Sequence, residues 1–245
     1  MTATILDAPN PDTAMAVSPV QGLEPAAALS SAATMAEFHA RVPVASLQVA
    51  FKRAIDILGS VAGLLMLCPI FLVLALAVRL SSPGPVFYKS LRIGKNRRPF
   101  YMYKFRTMIQ SADRMRSYLK VRHRLDGELF KLREDNRITP VGKILRQYSL
   151  DELPQLINVL RGEMSLVGPR PFVPDESAMF EPPFTLRFQV MPGMTGPWQV
   201  NGRSDISFRE LCQLEMQYVL DWHLLRDIIL LCKTVPTVFL RVGAY

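Results

Sequence analysis

Cysteine is scarce in this 245-residue chain. Cys68, Cys212 and Cys232 are its full set, their spacing suits no zinc site, and two of them lie in apolar segments. Buried, reduced thiols in a reducing compartment are the expected state. The N-terminus lacks the basic stretch and early apolar core of a secretory signal peptide. Residues 1–48 are also poor in aromatics and in sustained hydrophobic period, apart from a short helical pattern at 35–39. Their Ala-, Pro-, Ser- and Thr-rich, slightly acidic composition predicts a disordered extension.

Negative charge is the minority sign: 21 Asp and Glu stand against 29 Lys and Arg, a net +8. Such a balance favours an anionic partner, whether nucleic acid, an anionic membrane leaflet or a phosphorylated substrate. Charge of either sign is absent from 57–78, ILGSVAGLLMLCPIFLVLALAV. A helix over this run would be ~33 Å long, enough for a bilayer core, and a soluble core helix is seldom apolar on all faces over such a length. Lys52 and Arg53 precede the run, while Arg79, Lys89, Arg92, Lys95, Arg97 and Arg98 follow it. A full span would send one basic flank across the membrane, against the positive-inside bias. Both flanks stay on one side if the segment enters and returns. Pro69, near the middle, supplies the break, since proline removes one helical hydrogen bond and crowds the preceding turn. A kinked transmembrane helix is the competing reading. The charge argument favours a re-entrant helix-break-helix over 49–80, followed by one domain over 81–245.

Residues 81–88, SSPGPVFY, read as a rigid turn entering a strand, and LRIGKNRRPFYMYKFRTM reads as two short strands around a basic turn. Basic residues interleaved with aromatics also occur on nucleic-acid surfaces. The adjacent membrane segment accounts for the same charge through lipid and diphosphate attraction, so no nucleic-acid partner is expected. Residues 111–124, SADRMRSYLKVRHR, predict an exposed basic helix, with His123 on its solvated or headgroup-facing side.

The densest constellation is 139–171, TPVGKILRQYSLDELPQLINVLRGEMSLVGPRP. Ser149 followed by Glu152 fits a capping box, and Pro154 is best tolerated in a first helical turn. Asp151 and Glu152 at such an end, with basic residues on both flanks, suit a phosphate or metal-phosphate site. An ordinary cap with exposed acids is the plainer alternative. Adjacent residues on a helix point ~100° apart, so the two acids need not share a role. The constrained turn around Arg170 could hold one guanidinium rigidly against phosphate, or could simply expose it. Further on, 172–190 predicts a loop with short helical pieces, and MPGMTGPWQVNGRSD at 191–205 predicts an irregular stretch able to approach a nucleotide sugar. Trp198 and Phe208 suit stacking, lipid contact or the core. Asp205, Glu210 and Glu215 read as surface carboxylates before they read as metal or sugar ligands. Two apolar pieces between 214 and 239 predict packed or interfacial helices.

Taken together, KRAIDILGS at 52–60, SSPGPVFYKSLRIGKNRRPFYMYKFRTM at 81–108, ITPVGKILRQYSLDELPQLINVLRGEMSLVGPRP at 138–171, PGMTGPWQVNGRSDISFRE at 192–210 and DWHLLRDIILLCKT at 221–234 resemble the bacterial sugar transferase family. These are the polyprenyl-phosphate hexose-1-phosphate transferases, and the matching pieces occur in family order across everything after Val49. The resemblance implies an α+β, predominantly helical monotopic membrane protein of minimal form, with a re-entrant helix broken at Pro69. It places a catalytic domain on the cytoplasmic face of the bacterial inner membrane. It implies that Asp151 is a nucleophile and Glu152 its acidic partner beside Mg2+, and that Lys104, Arg106, Arg170 and Arg203 form the phosphate-binding surface. The implied partners are a UDP-hexose, with galactose or glucose as the sugar, polyprenyl (undecaprenyl) phosphate and anionic lipids. Membrane association could itself create a homodimer. The implied chemistry is transfer of hexose 1-phosphate with release of UMP through a phosphosugar on Asp151, direct one-step transfer being the rival. Two positions depart from the family pattern: Cys68 replaces a small polar residue before Pro69, and His223 replaces a serine after Trp222, where a changed helix cap is expected.

Overall fold

The computed structural model describes residues 46–112, 114–115, 135–241 and 243. The disorder expected over 1–48 lies outside the described residues except at 46–48, which are already helical. Most of the basic helix expected over 111–124, His123 included, also lies outside them.

Helix α1 (Ser46–Ser81) is one helical run of 36 residues that passes through Pro69. The interruption expected at Pro69 is therefore not a gap in the helix. A proline forfeits one backbone bond, whereas ending the helix there would strand several N–H and C=O groups among apolar side chains. The N-terminal part of α1 is tied to the domain by its charges. Arg53 donates to the carbonyls of Val159 and Leu160 at 2.6 and 2.8 Å. Asp56 accepts from the Ser165 hydroxyl and the Leu166 N–H at 3.0 and 2.9 Å. Lys52 meets Asp227 at 2.5 Å and the Val167 carbonyl at 2.9 Å. Gly59 and Gly63 share a face, and a Cβ on either would come within 2.8 Å of Leu166 or 3.1 Å of Leu156, so both positions set how closely α1 can lie on the domain. At the other end Val78 is fully buried with Phe105 and Leu145. Between these anchors Leu58, Leu65, Met66, Leu72, Val73 and Leu76 remain exposed, an apolar surface too large for water alone.

Strands β1 (Phe87–Ile93) and β2 (Pro99–Phe105) form the expected hairpin, antiparallel with Phe87 opposite Phe105. Helix α2 (Pro140–Gln147) is capped by Thr139, whose hydroxyl accepts from the Gly142 N–H at 3.0 Å. Helix α3 (Gln155–Arg161) ends at Gly162 in left-handed backbone. Asn158 of α3 is fully buried and acts as an extra strand partner for β2, accepting from Tyr103 N–H at 2.9 Å and donating to the Tyr101 carbonyl at 2.8 Å.

Strands β3 (Ser165–Val167) and β4 (Gly193–Thr195) pair in parallel. Backbone meets backbone beside this pair: a Cβ on Gly193 would stand 2.0 Å from the Gly168 nitrogen, so only glycine fits. The expected loop holds α4 (Pro174–Ser177) and a 3-10 helix, Phe184–Gln189; α5 (Pro197–Val200) and the tight turn Arg203–Asp205 follow β4. Helices α6 (Phe208–Leu220) and α7 (Leu224–Phe239) close the domain. The capping box belongs to Ser207 and Glu210, and His223 caps α7 by accepting from the Arg226 N–H at 3.2 Å. Phe172, Phe180, Phe188, Trp198, Leu211 and Cys212 form one core cluster. A second gathers Val167, Leu186, Tyr218, Val219 and Leu230. The result is the α+β, mostly helical domain expected, with two small sheets serving as frames.

Candidate active site

After α2 the chain turns through Ser149, held in left-handed backbone at φ 55°, into a tight helical turn, Leu150–Glu152. Ser149 and Glu152 do not form the expected capping box. The Ser149 hydroxyl instead accepts from Arg203 at 3.0 Å, and the Glu152 carboxylate takes Lys104 at 2.6 Å. A charged donor is a stronger carboxylate partner than a backbone N–H, and the left-handed turn aims Ser149 away from the helix start. Lys104 follows directly on the β2 segment that Asn158 grips at Tyr101 and Tyr103. Its ammonium also stands 3.7 Å from Asp151.

Asp151 is buried, and Glu152 is open at 30% of its side chain. Burial raises the Asp151 pKa above the ordinary carboxylate value, against the pull of Lys104. Burial would raise Glu152 too, but the charge and hydrogen bond of Lys104, then Arg170 and Arg203, bring it down to about 2. One acid thus stays ionised while its neighbour is made more basic.

The arginines divide. Arg203, itself at φ 50°, is fixed by bonds to the Gln199 carbonyl and Ser149 at 3.2 and 3.0 Å. Arg170 lies with its guanidinium over the buried Trp198 ring at 4.4 Å, and among the described residues no hydrogen bond occupies that guanidinium. Arg106 borders the same cavity with its donors already engaged: it is buried and donates to the carbonyls of Pro83, Ser82 and Val78, clamping the turn after α1. Arg146 of α2, not singled out from the sequence, is held by Thr107 at 2.9 Å and adds its charge to Asp151. All of these line one cavity of about 770 Å³ whose other wall is apolar, including Phe87, Phe105, Leu231 and Val238.

Two adjacent carboxylates suit Mg2+, which is commonly held by one or two carboxylates together with substrate phosphates and water. Among the described residues no group of three or more potential metal-ligating side chains occurs; Asp151 and Glu152 are the adjacent carboxylates that the cavity presents. Three further expectations resolve here. Trp198 is a core residue that also carries Arg170. Glu210 is a helix cap, not a ligand. Glu215 is not a surface carboxylate: it is 1% exposed and paired with Arg187 at 2.8 Å. Helical spacing could have found it, because Leu211, Glu215, Tyr218 and Val219 fall on one face.

A domain bound to an exposed apolar helix, with a buried Asp151 and a partly open Glu152 ringed by cations in one cavity, defines a membrane-associated protein whose site suits anions. The chain belongs to the bacterial sugar transferase family, which it matches over residues 47–241. It is 41% identical over 201 residues to the exopolysaccharide production protein ExoY of Rhizobium meliloti (strain 1021), covering 79% of this chain and 88% of that one. It is 41% identical to the undecaprenyl-phosphate galactose phosphotransferase of Salmonella typhimurium (strain LT2), covering 79% of this chain and 41% of the relative. It is 39% identical to the undecaprenyl-phosphate glucose phosphotransferase of Komagataeibacter xylinus, covering 80% and 37%. The protein is a transferase of that family.

Proposed function

We propose that the protein transfers hexose 1-phosphate from a UDP-hexose to polyprenyl phosphate and releases UMP, as a step that begins surface polysaccharide assembly. The carrying observation is the Asp151–Glu152 pair held by Lys104 in a cavity that also receives Arg170, Arg203 and Arg146. Galactose and glucose, the sugars in the names of two relatives, are the first candidates.

In this reaction an oxygen of polyprenyl phosphate forms a bond to the sugar-bearing phosphorus. The bridging P–O bond to UMP breaks, UMP leaves with the electron pair, and the sugar C–O bond is untouched. Both phosphates are already ionised, so direct displacement asks the site chiefly to neutralise charge, which Lys104, Arg170, Arg203 and Arg146 can do. The covalent route adds one attack: an Asp151 oxygen displaces UMP, and polyprenyl phosphate then displaces the carboxylate. It requires Asp151 in its ionised form. Mg2+ held by Asp151 and Glu152 would neutralise diphosphate charge on either route.

The anchoring of α1 supports a monotopic arrangement. Its charged start and Val78 near its end pack on one domain, and a helix running from Asp56 to Val78 covers ~33 Å. Ends on opposite faces of a bilayer could not both meet that domain unless the domain entered the lipid. With basic residues on both flanks, the domain falls on the cytoplasmic side.

The test uses detergent- or nanodisc-held protein, Mg2+ and UDP-hexose labelled at the sugar-proximal phosphorus. Label moving to polyprenyl phosphate with release of UMP is expected. Label retained on the protein before acceptor is added, and lost in Asp151→Asn, establishes the covalent route; product without such retention establishes direct transfer. No transfer from either UDP-galactose or UDP-glucose sinks the sugar assignment.

A further inference from the structure

Arg187 and Glu215 form an ion pair sealed in the core, at 5% and 1% exposure, with Nη2 of Arg187 2.8 Å from Oε2 of Glu215. Burying two charges is costly, and an apolar pair of similar volume would often serve stability as well or better. The position of their remaining contacts gives the pair a purpose. Glu215 accepts the backbone N–H of Arg170 through its other oxygen at 2.7 Å. Arg187 donates to the backbone carbonyl of the same residue. The pair therefore grips both peptide groups of Arg170 from the side of α6 and the 3-10 helix Phe184–Gln189. The Arg187 guanidinium is wedged between Phe172 and Phe180, with ring centroids at 4.5 and 4.3 Å. The Arg170 side chain leaves this grip to lie over Trp198, with its charge felt at Glu152.

We propose that the Arg187–Glu215 pair is the positioning device for Arg170, fixing the direction in which that guanidinium meets the substrate diphosphate. The proposal rests on the reading of Arg170 as a phosphate-binding residue. Neither member of the pair touches substrate; both act through the Arg170 backbone. A rigid backbone is needed because the guanidinium itself has no hydrogen-bonded support among the described residues, and a misplacement near 1 Å can cost roughly a hundredfold in rate.

The experiment is a mutant cycle on the full-length protein in nanodiscs. The pair is replaced together, Arg187→Met with Glu215→Met, so that no lone buried charge remains and the fold is retained. The expected result is a roughly tenfold or larger fall in kcat/KM for UDP-hexose, with no further fall when the replacement is added to Arg170→Ala. Glu215→Gln, nearly isosteric and able to keep the Arg170 N–H contact, is expected to lose less; it carries the same cycle if the apolar pair does not fold. Wild-type kinetics in the apolar pair, or additive losses in the Arg170→Ala background, would overturn the positioning role while leaving Arg170 in place. Wild-type kinetics in Arg170→Ala alone would overturn both the reading of Arg170 and the proposal.

Discussion

At the scale of residues, Lys104 decides the electrostatics of the acid pair. Glu152 is held at about 2 against its ordinary 4.5, so its pairing contributes stability that is present above pH 4.5 and is lost as pH falls toward 2. Lys104→Met removes the largest influence lowering both carboxylates. Its acid limb of activity should therefore move to higher pH, and kcat/KM at neutral pH should fall by about 100-fold. A pH–rate profile checks both; an unmoved acid limb would show that neither carboxylate controls the rate. Cys212 gives a second residue-scale prediction. Burial pushes its thiol up to about 11, so it stays protonated until pH approaches that value. Iodoacetamide at pH 8 should spare Cys212 in the native protein and modify it after unfolding, as read by peptide mass.

The elements explain why these residues meet. The β3–β4 frame sets the Gly168–Pro171 turn against the stretch carrying Trp198 and Arg203, and it depends on backbone contact at Gly168 and Gly193. Gly193→Ala should cost about 3 kcal/mol through overpacking, seen as a lower unfolding midpoint, because the atoms its Cβ would meet are backbone and cannot turn aside. A normal midpoint would mean that the two strands can separate without loss. The α6–α7 corner works differently. Asp227 accepts from Tyr218 at 2.7 Å and Trp222 at 3.2 Å while pairing with Lys52, so one buried carboxylate joins α1, α6 and α7.

For the whole molecule, the apolar run of α1 lies between two anchoring points on a single domain. Cysteines introduced at Gln48 and Lys89, in a background without Cys68 and Cys232, should both react with an impermeant maleimide from the cytoplasmic face of vesicles. Labelling from opposite faces would show a full span. The same arrangement joins the apolar cavity wall formed by Phe87, Phe105, Leu231 and Val238 to a domain that carries an exposed apolar helix, which under the proposed function suits a substrate with a phosphate head and an isoprenoid tail.

Much of this was legible in the chain itself. The uncharged run at 57–78, the hairpin around Arg97, the acid pair and the two closing helices follow from local pattern, since period, charge and turn residues act within a few positions. Family resemblance also pointed to Lys104, Arg170 and Arg203, and the structure gathers all three at the cavity that holds the acid pair. Tertiary structure alone assigned the partners. Arg106 turned to three carbonyls after α1, Arg146 entered the cavity, and Ser149 took Arg203 in place of a helix cap. Arg187 and Glu215 closed on the Arg170 backbone from elements far apart in the chain. Those outcomes depend on which buried donors and acceptors must find each other once water is excluded, a competition settled by packing and invisible to spacing.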